Sequence, residues 1–151
     1  MIQRILATMC AAVSLLSVSC SEGGLEPDYS SIADPMARWE AYKYTDYTIE
    51  QVLSCFCPYG GIPIKVVVRN RQVFKVYQAG NGFTLPAAYW SQFQSIDGLF
   101  DVAESVNPDS VSVFTVEYDA RYGFPTVIFV DPSDTIADEE YGFRTGVFER
   151  K

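Results

Sequence analysis

Histidine is absent from this 151-residue chain. With it go the usual general base of serine hydrolysis and the commonest metal ligand. Basic residues are scarce: 11 Lys and Arg stand against 19 Asp and Glu, and no run of them occurs. Phosphate backbones are held by clustered Lys and Arg, so a nucleic-acid partner is not expected. No G-x-S-x-G sequence is present, and the two closely spaced cysteines do not form a Cys-x-x-Cys. The apolar run at residues 5–18 is shorter than the ~20 residues of a membrane-spanning helix.

Aromatic residues, by contrast, are abundant, with 10 Tyr, 10 Phe and 2 Trp. Tyr and Phe in such number favour pleated, half-buried sheet surfaces. The length suits one domain, large enough to bury a core without staples. The net charge of −8 reads as a solubility device before it reads as a cation site.

Residues 1–19 carry one basic residue, Arg4, followed by the apolar run, which is the layout of a signal peptide. The run ends at Ser17, Val18, Ser19 and Cys20. In one reading, cleavage precedes Cys20 and its thiol is acylated, as in a bacterial lipoprotein. The small Ser19 fits, whereas Ser17 stands where leucine is usual and Leu16 lies one place further out. In the other, a general signal peptidase cuts near Ser19 or Ser21. The polar, Gly- and Pro-bearing stretch "SEGGLEPDYSSIAD" favours the first, because it suits a tether, and residues 21–33 reach at most ~45 Å when extended. The expected organisation is a signal peptide over 1–19, a lipidated Cys20 with a flexible tether over 20–33, and one domain over 34–151. Export to a bacterial cell envelope follows on either reading. The lipoprotein reading adds a lipid anchor facing the periplasm.

Asp34 and Pro35 predict a helix start, as N-cap and first helical residue. From Tyr47 the period changes to two. Tyr47, Ile49, Gln51, Leu53, Cys55 and Cys57 fall on one face, and this predicts a strand running through Cys57. "CPYGGIP" is a turn by composition. "IPIKVVVRN" and "QVFKVYQ" predict a hairpin turning at Asn70 and Arg71, although Arg adopts the left-handed conformation reluctantly. Ser95 caps a helix bearing Ile96, Leu99, Phe100, Ala103 and Val106, which Pro108 ends. Two strands flank a turn at residues 119–123, residues 131–140 form an acidic turn, and a last strand closes the chain. The expected fold is α+β, in the order α-β-β-β-α-β-β-β: a curved antiparallel sheet of five to six strands with two helices packed on one face.

Cys55 and Cys57 form the most specific chemical feature. Zinc would need about four ligands, and two thiolates with carboxylates make a poor set. A redox pair normally sits at a helix N-terminus, where the dipole lowers a thiol's pKa, and this pair falls near a strand end. A flat strand holds α-carbons two residues apart at nearly 7 Å, the limit for a disulfide, and a kink at Pro58 would shorten that. The chain-entropy formula gives a three-residue loop only ~1.6 kcal/mol. A structural clip, a redox-active pair and two inert thiols therefore stay open, in that order. Asp131, Asp134 and Asp138, with Glu139 and Glu140, are weak candidate calcium ligands, since the spacing matches no EF-hand and a solvated loop tip accounts for them. Nothing selects a carboxylate pair for catalysis, and no cofactor is implied.

Four pieces occur in order: "WEAYKYTDYTIEQ", "SCFCP", "SIDGLF" and "VEYDARYGFPTVIFVDPSDTIADEE". Together they resemble the bacterial exported proteins grouped as DUF6174, a family often found in lipoproteins. The resemblance covers roughly residues 36–148 and implies export and a shared fold, with no activity attached. Where that family tends to carry Asp-Gly at the hairpin, this chain has Asn70 and Arg71. The expected role is a non-catalytic envelope lipoprotein that serves as a binding or assembly module, with an envelope protein as partner. A periplasmic thiol–disulfide protein using Cys55 and Cys57 is the alternative, and a calcium-dependent module is a weaker third.

Overall fold

The computed structural model describes residues 26–151. Helix α1, Pro35–Tyr42, starts where Asp34 Oδ1 accepts a bond from the Ala37 N–H at 2.7 Å. It stops where Lys43 turns left-handed. Helix α2, Ile96–Ser105, starts at Ser95, whose hydroxyl accepts from Gly98 at 3.1 Å. Its apolar residues recur at three and four, and Ile96, Leu99, Phe100 and Ala103 are buried.

Six strands form one open antiparallel sheet: β1 (Tyr47–Ser54), β2 (Ile64–Arg69), β3 (Gln72–Gln78), β4 (Val113–Tyr118), β5 (Pro125–Asp131) and β6 (Tyr141–Arg150). Their spatial order is β3-β2-β1-β6-β5-β4. Each half of the chain is thus a three-stranded meander, and β1 joins β6 at the centre. The α+β class and the antiparallel sheet are as the periodicity predicts. The order of helices and strands broadly agrees, with short 3-10 turns at Ala87–Gln92 and Pro108–Ser110 besides.

Alternation in β1 decides which face is inside. Tyr47, Ile49 and Gln51 pair in register with Val68, Val66 and Ile64 of β2, and all six are fully or almost fully buried. Trp39 of α1 sits edge-on against Tyr47, ring centroids 5.4 Å apart, and against Phe148 of β6 at 5.8 Å. Leu99 and Ala103 of α2 pack with Ile128 and Val130 of β5. The Tyr47 hydroxyl accepts from the Ile96 N–H at 2.8 Å, satisfying one of the donors a helix start leaves free. Gln51, polar yet fully buried, donates to the Gln94 carbonyl at 2.6 Å and accepts from the Gln94 N–H at 3.2 Å. That pairing offsets the desolvation of its amide. The opposite face bears Glu50, Lys65, Arg144 and Glu149, with Lys65 and Glu149 paired at 2.8 Å.

One local feature departs from the sequence reading and another bears it out. Strand β1 ends at Ser54, three residues before Cys57, and the chain bends there. The Asn70–Arg71 turn does form, with both residues left-handed at φ +49° and +65°. Arg71 tolerates this because Asp97 of α2 grips its guanidinium through two bonds of 2.8 Å, and its own N–H donates to Thr45 at 2.9 Å.

Candidate functional site

Strand β1 spans about 26 Å, and the antiparallel order sorts every connection to one of its two ends. The first end holds the α1–β1 link, the β2–β3 hairpin, the β4–β5 turn and the last residues of β6. The second holds the loop after β1, the segment after β3, the link from α2 to β4, and the acidic loop between β5 and β6.

At the first end the chain enters through Glu26. Its carboxylate is only 8% exposed and meets four side chains. Arg121 lies at 2.6 Å, Arg150 at 2.9 Å and the Tyr122 hydroxyl at 3.2 Å, while the Tyr44 hydroxyl donates to the other oxygen. The Tyr44 bond above all, then Tyr122 and the two guanidinium groups, hold the Glu26 carboxyl below its ordinary value of 4.5, with burial opposing. Burial, and then the bond to Glu26, push the Tyr44 hydroxyl up to about 12. Around this carboxylate Tyr42, Tyr44, Tyr122 and Phe148 stack and tilt with centroids 5.1 to 6.3 Å apart. Arg38 adds bonds to the Ile32 carbonyl at 2.8 Å and the Ala120 carbonyl at 2.7 Å. Residues 26–33, read from sequence as part of a free tether, thus lie docked on the domain. Residues 1–25, including the expected signal peptide and the expected lipidation site Cys20, lie outside the described residues.

The second end is built on the cysteine loop. Cys55 and Cys57 lie at disulfide distance, their α-carbons 5.3 Å apart where a flat strand would hold them near 7 Å. The bend that shortens the gap continues into a fold-back, in which Gly61 donates to the Leu53 carbonyl at 2.9 Å and Gly60 to Cys57 at 3.0 Å. Gly60 is required, because a Cβ there would stand 2.5 Å from the Cys55 carbonyl oxygen. Tyr59 packs edge-on against Tyr89, so the loop has a rigid base. Its tip does not follow it inward: Phe56 is 91% exposed.

Grooves flank this tip. One, of about 410 Å³, is lined by Ser54, Cys55, Phe56, Phe129, Asp138 and Glu140. Gly142 stands in register between Ser54 and Phe129, where a Cβ would lie 2.1 Å from the Ile128 carbonyl oxygen, so only glycine lets β5 and β6 close here. A second, of about 270 Å³ and nearly all apolar, is lined by Leu53, Cys55, Cys57, Gln92, Tyr141 and Phe143 among others. The Gln92 Oε1 atom is buried there without a hydrogen-bond partner. Six of the nine large apolar side chains that stand exposed among the described residues lie at this end: Phe56, Ile62, Phe83, Val113, Ile136 and Tyr141. The four connections that build it, residues 55–63, 79–92, 106–112 and 132–140, carry only acidic charges. The first end, by contrast, holds Lys43, Arg71, Arg121, Arg150 and Lys151.

The expected calcium ligands are not drawn together. Asp131 turns its carboxylate back to the Ser133 N–H at 3.1 Å, and Asp134 is held through its own N–H by Ser112. Among the described residues no group of three or more His, Cys, Asp or Glu is arranged to hold a metal ion. Two features of these ends escaped sequence reading. Glu26 sits in a Gly- and Pro-bearing stretch that reads as tether, and its four partners are 18 to more than 90 residues away. Phe56 lay in plain sight between two cysteines, and its lack of any partner on a neighbouring strand was the missing signal.

A helix-backed antiparallel sheet with an acidic, aromatic loop end defines a small α+β module. The chain belongs to the family of unknown function DUF6174, whose model matches residues 31–150. No curated protein and no solved structure matches it.

Because the folded-state pKa of Glu26 is depressed, its ion pairs stabilise the protein above the unfolded value and lose that effect as pH falls through the folded one. The Glu26→Gln variant should therefore melt a few degrees lower than wild type near neutral pH. The gap should close progressively as pH drops below 4.5. Melting curves recorded across that range check it, and a pH-independent gap would contradict the role of the charge.

Proposed function

We propose that this chain is a lipid-anchored protein of the bacterial cell envelope that acts by binding rather than by catalysis. One observation carries the reading: the arm that leads back to Cys20 is fixed at one end of the sheet, while the exposed apolar side chains gather at the other. Only residues 21–25 separate Cys20 from the docked Glu26, a reach of about 20 Å at most. Acylation of Cys20 would hold the arm end, with its basic residues, close to the membrane surface. The cysteine-loop end would then face outward, into the periplasm. That arrangement suits a module that presents a surface to a partner.

Catalysis is disfavoured by what surrounds the cysteine pair among the described residues. Among the described residues, no Lys or Arg lines the grooves around Cys55 and Cys57, and the first of these grooves holds the carboxylates Asp138 and Glu140, which disfavour a thiolate. A thiol–disulfide role remains the second reading, favoured by one fact: both sulfur-bearing residues line open grooves in which a peptide could lie.

Fractionation of cells expressing the full chain tests the first reading. Wild type should sediment with membranes, and Cys20→Ala should move to the soluble fraction. A wild-type chain found soluble after cleavage would overturn the anchor. Equilibration in glutathione buffers, read by mass after alkylation, separates the two roles of the cysteines. We expect a reduction potential below about −300 mV, the range of structural disulfides, whereas a value near −200 mV or above would favour the redox role.

A further inference from the structure

The exposed end is selective about charge as well as apolar, and this identifies the kind of partner it fits. Its connections carry carboxylates and no Lys or Arg, although ten basic residues follow Cys20 in the chain. In the groove beside the cysteine loop the two chemistries meet. Phe56 and Phe129 supply aromatic faces, and Asp138 and Glu140 supply carboxylates in the same 410 Å³ space. An arginine side chain satisfies both at once. Its planar guanidinium stacks on aromatic faces and offers a fork of donors that matches carboxylates. The second groove, lined by Leu53, Phe143 and Tyr141, opens on the helix-covered face of the sheet and meets the first at Cys55, so a partner that wraps the loop end places an apolar side chain there.

We infer that this end docks a second protein through a segment in which Arg or Lys alternates with apolar side chains, with Phe56 as the central contact. Charge complementarity selects this occupant over the others. Anionic lipid headgroups would be repelled by Asp138 and Glu140, so the end is not a second membrane contact. A two-fold contact between copies of this chain would set those carboxylates against their own counterparts, since such contacts pair a patch with itself. The inference rests on the binding-module reading of the preceding subsection and gives it a partner chemistry.

The test uses the full chain purified in neutral detergent and a short fluorescent peptide alternating Arg with Leu and Phe. A matched peptide carries Glu in place of Arg. The Arg peptide should bind with an affinity that falls as salt rises, and the Glu peptide should not bind. Phe56→Ser and the double change Asp138→Asn with Glu140→Gln should each weaken binding by at least about tenfold. Phe56 and Asp138 are exposed and Glu140 is half-buried, and unchanged melting curves would show that the variants fold. A photoreactive group on the peptide should mark residues near 54–57 and 138–142. Equal binding of both peptides, no binding at millimolar concentration, or indifference to the variants would overturn the inference. So would Phe56-dependent binding of vesicles containing phosphatidylglycerol, or Phe56-dependent dimerisation in sedimentation. Failure here with wild type still in the membrane fraction removes only the partner chemistry. A soluble wild type that still binds the Arg peptide removes only the anchor.

Discussion

The pairing of β1 with β6 is the constraint on which the rest of this molecule depends. It is the one seam that joins the two meanders, and it is made between residues about a hundred apart, as in Tyr47 opposite Arg150 and Ser54 opposite Gly142. Both ends of the sheet are consequences of this register. At one end it delivers Arg150 to Glu26 and Phe148 to Trp39. At the other it lays the acidic loop beside the cysteine loop, so that Phe56 and Phe129 share a groove with Asp138 and Glu140. A slip of one residue would turn Tyr47, Ile49 and Gln51 out of the core and dissolve both ends together. Contacts of such sequence separation form late and against chain entropy. The aromatic packing of Trp39 across β1 and β6 is what makes the seam worth closing.

The two ends divide the work. Around Glu26 every polar group has a partner, and the aromatic rings are packed on one another, which is how a chain fixes an arm. At the cysteine-loop end the reverse holds: Phe56 stands exposed, and the Gln92 oxygen in the other groove has no partner. Apolar surface left unmatched in this way, next to acidic loops, is what the proposed binding role rests on. The short cysteine loop contributes little to global stability and much to the direction in which Phe56 points.

Local signals in the sequence were sufficient where local physics governs. Asp34 and Ser95 cap the helices they were expected to cap, and the alternation from Tyr47 correctly assigns the buried face of β1. The features that local signals do not explain have a common cause. Cys55 and Cys57 continue the alternation, so a strand through both looks natural; the approach of their α-carbons and the fold-back at Gly60 end it. Arg71 is a poor turn residue until Asp97, 26 residues onward, clamps it. Gln51 is the polar member of an apolar face, and its amide is satisfied by the Gln94 backbone. Glu26 reads as solvated tether until four distant side chains converge on it. Each depends on a partner that only the assembled sheet brings near, which is why the contact end was less legible than the fold.

The central claim is that the molecule stands on its Glu26 end and presents its Phe56 end. The most direct measurement places a fluorophore at Lys43 or at Phe56 of the acylated full chain in vesicles containing spin-labelled lipid. The account predicts strong quenching at position 43 and little at position 56. Quenching at 56 equal to or greater than that at 43 would mean that the apolar end faces the bilayer, and the account would be wrong.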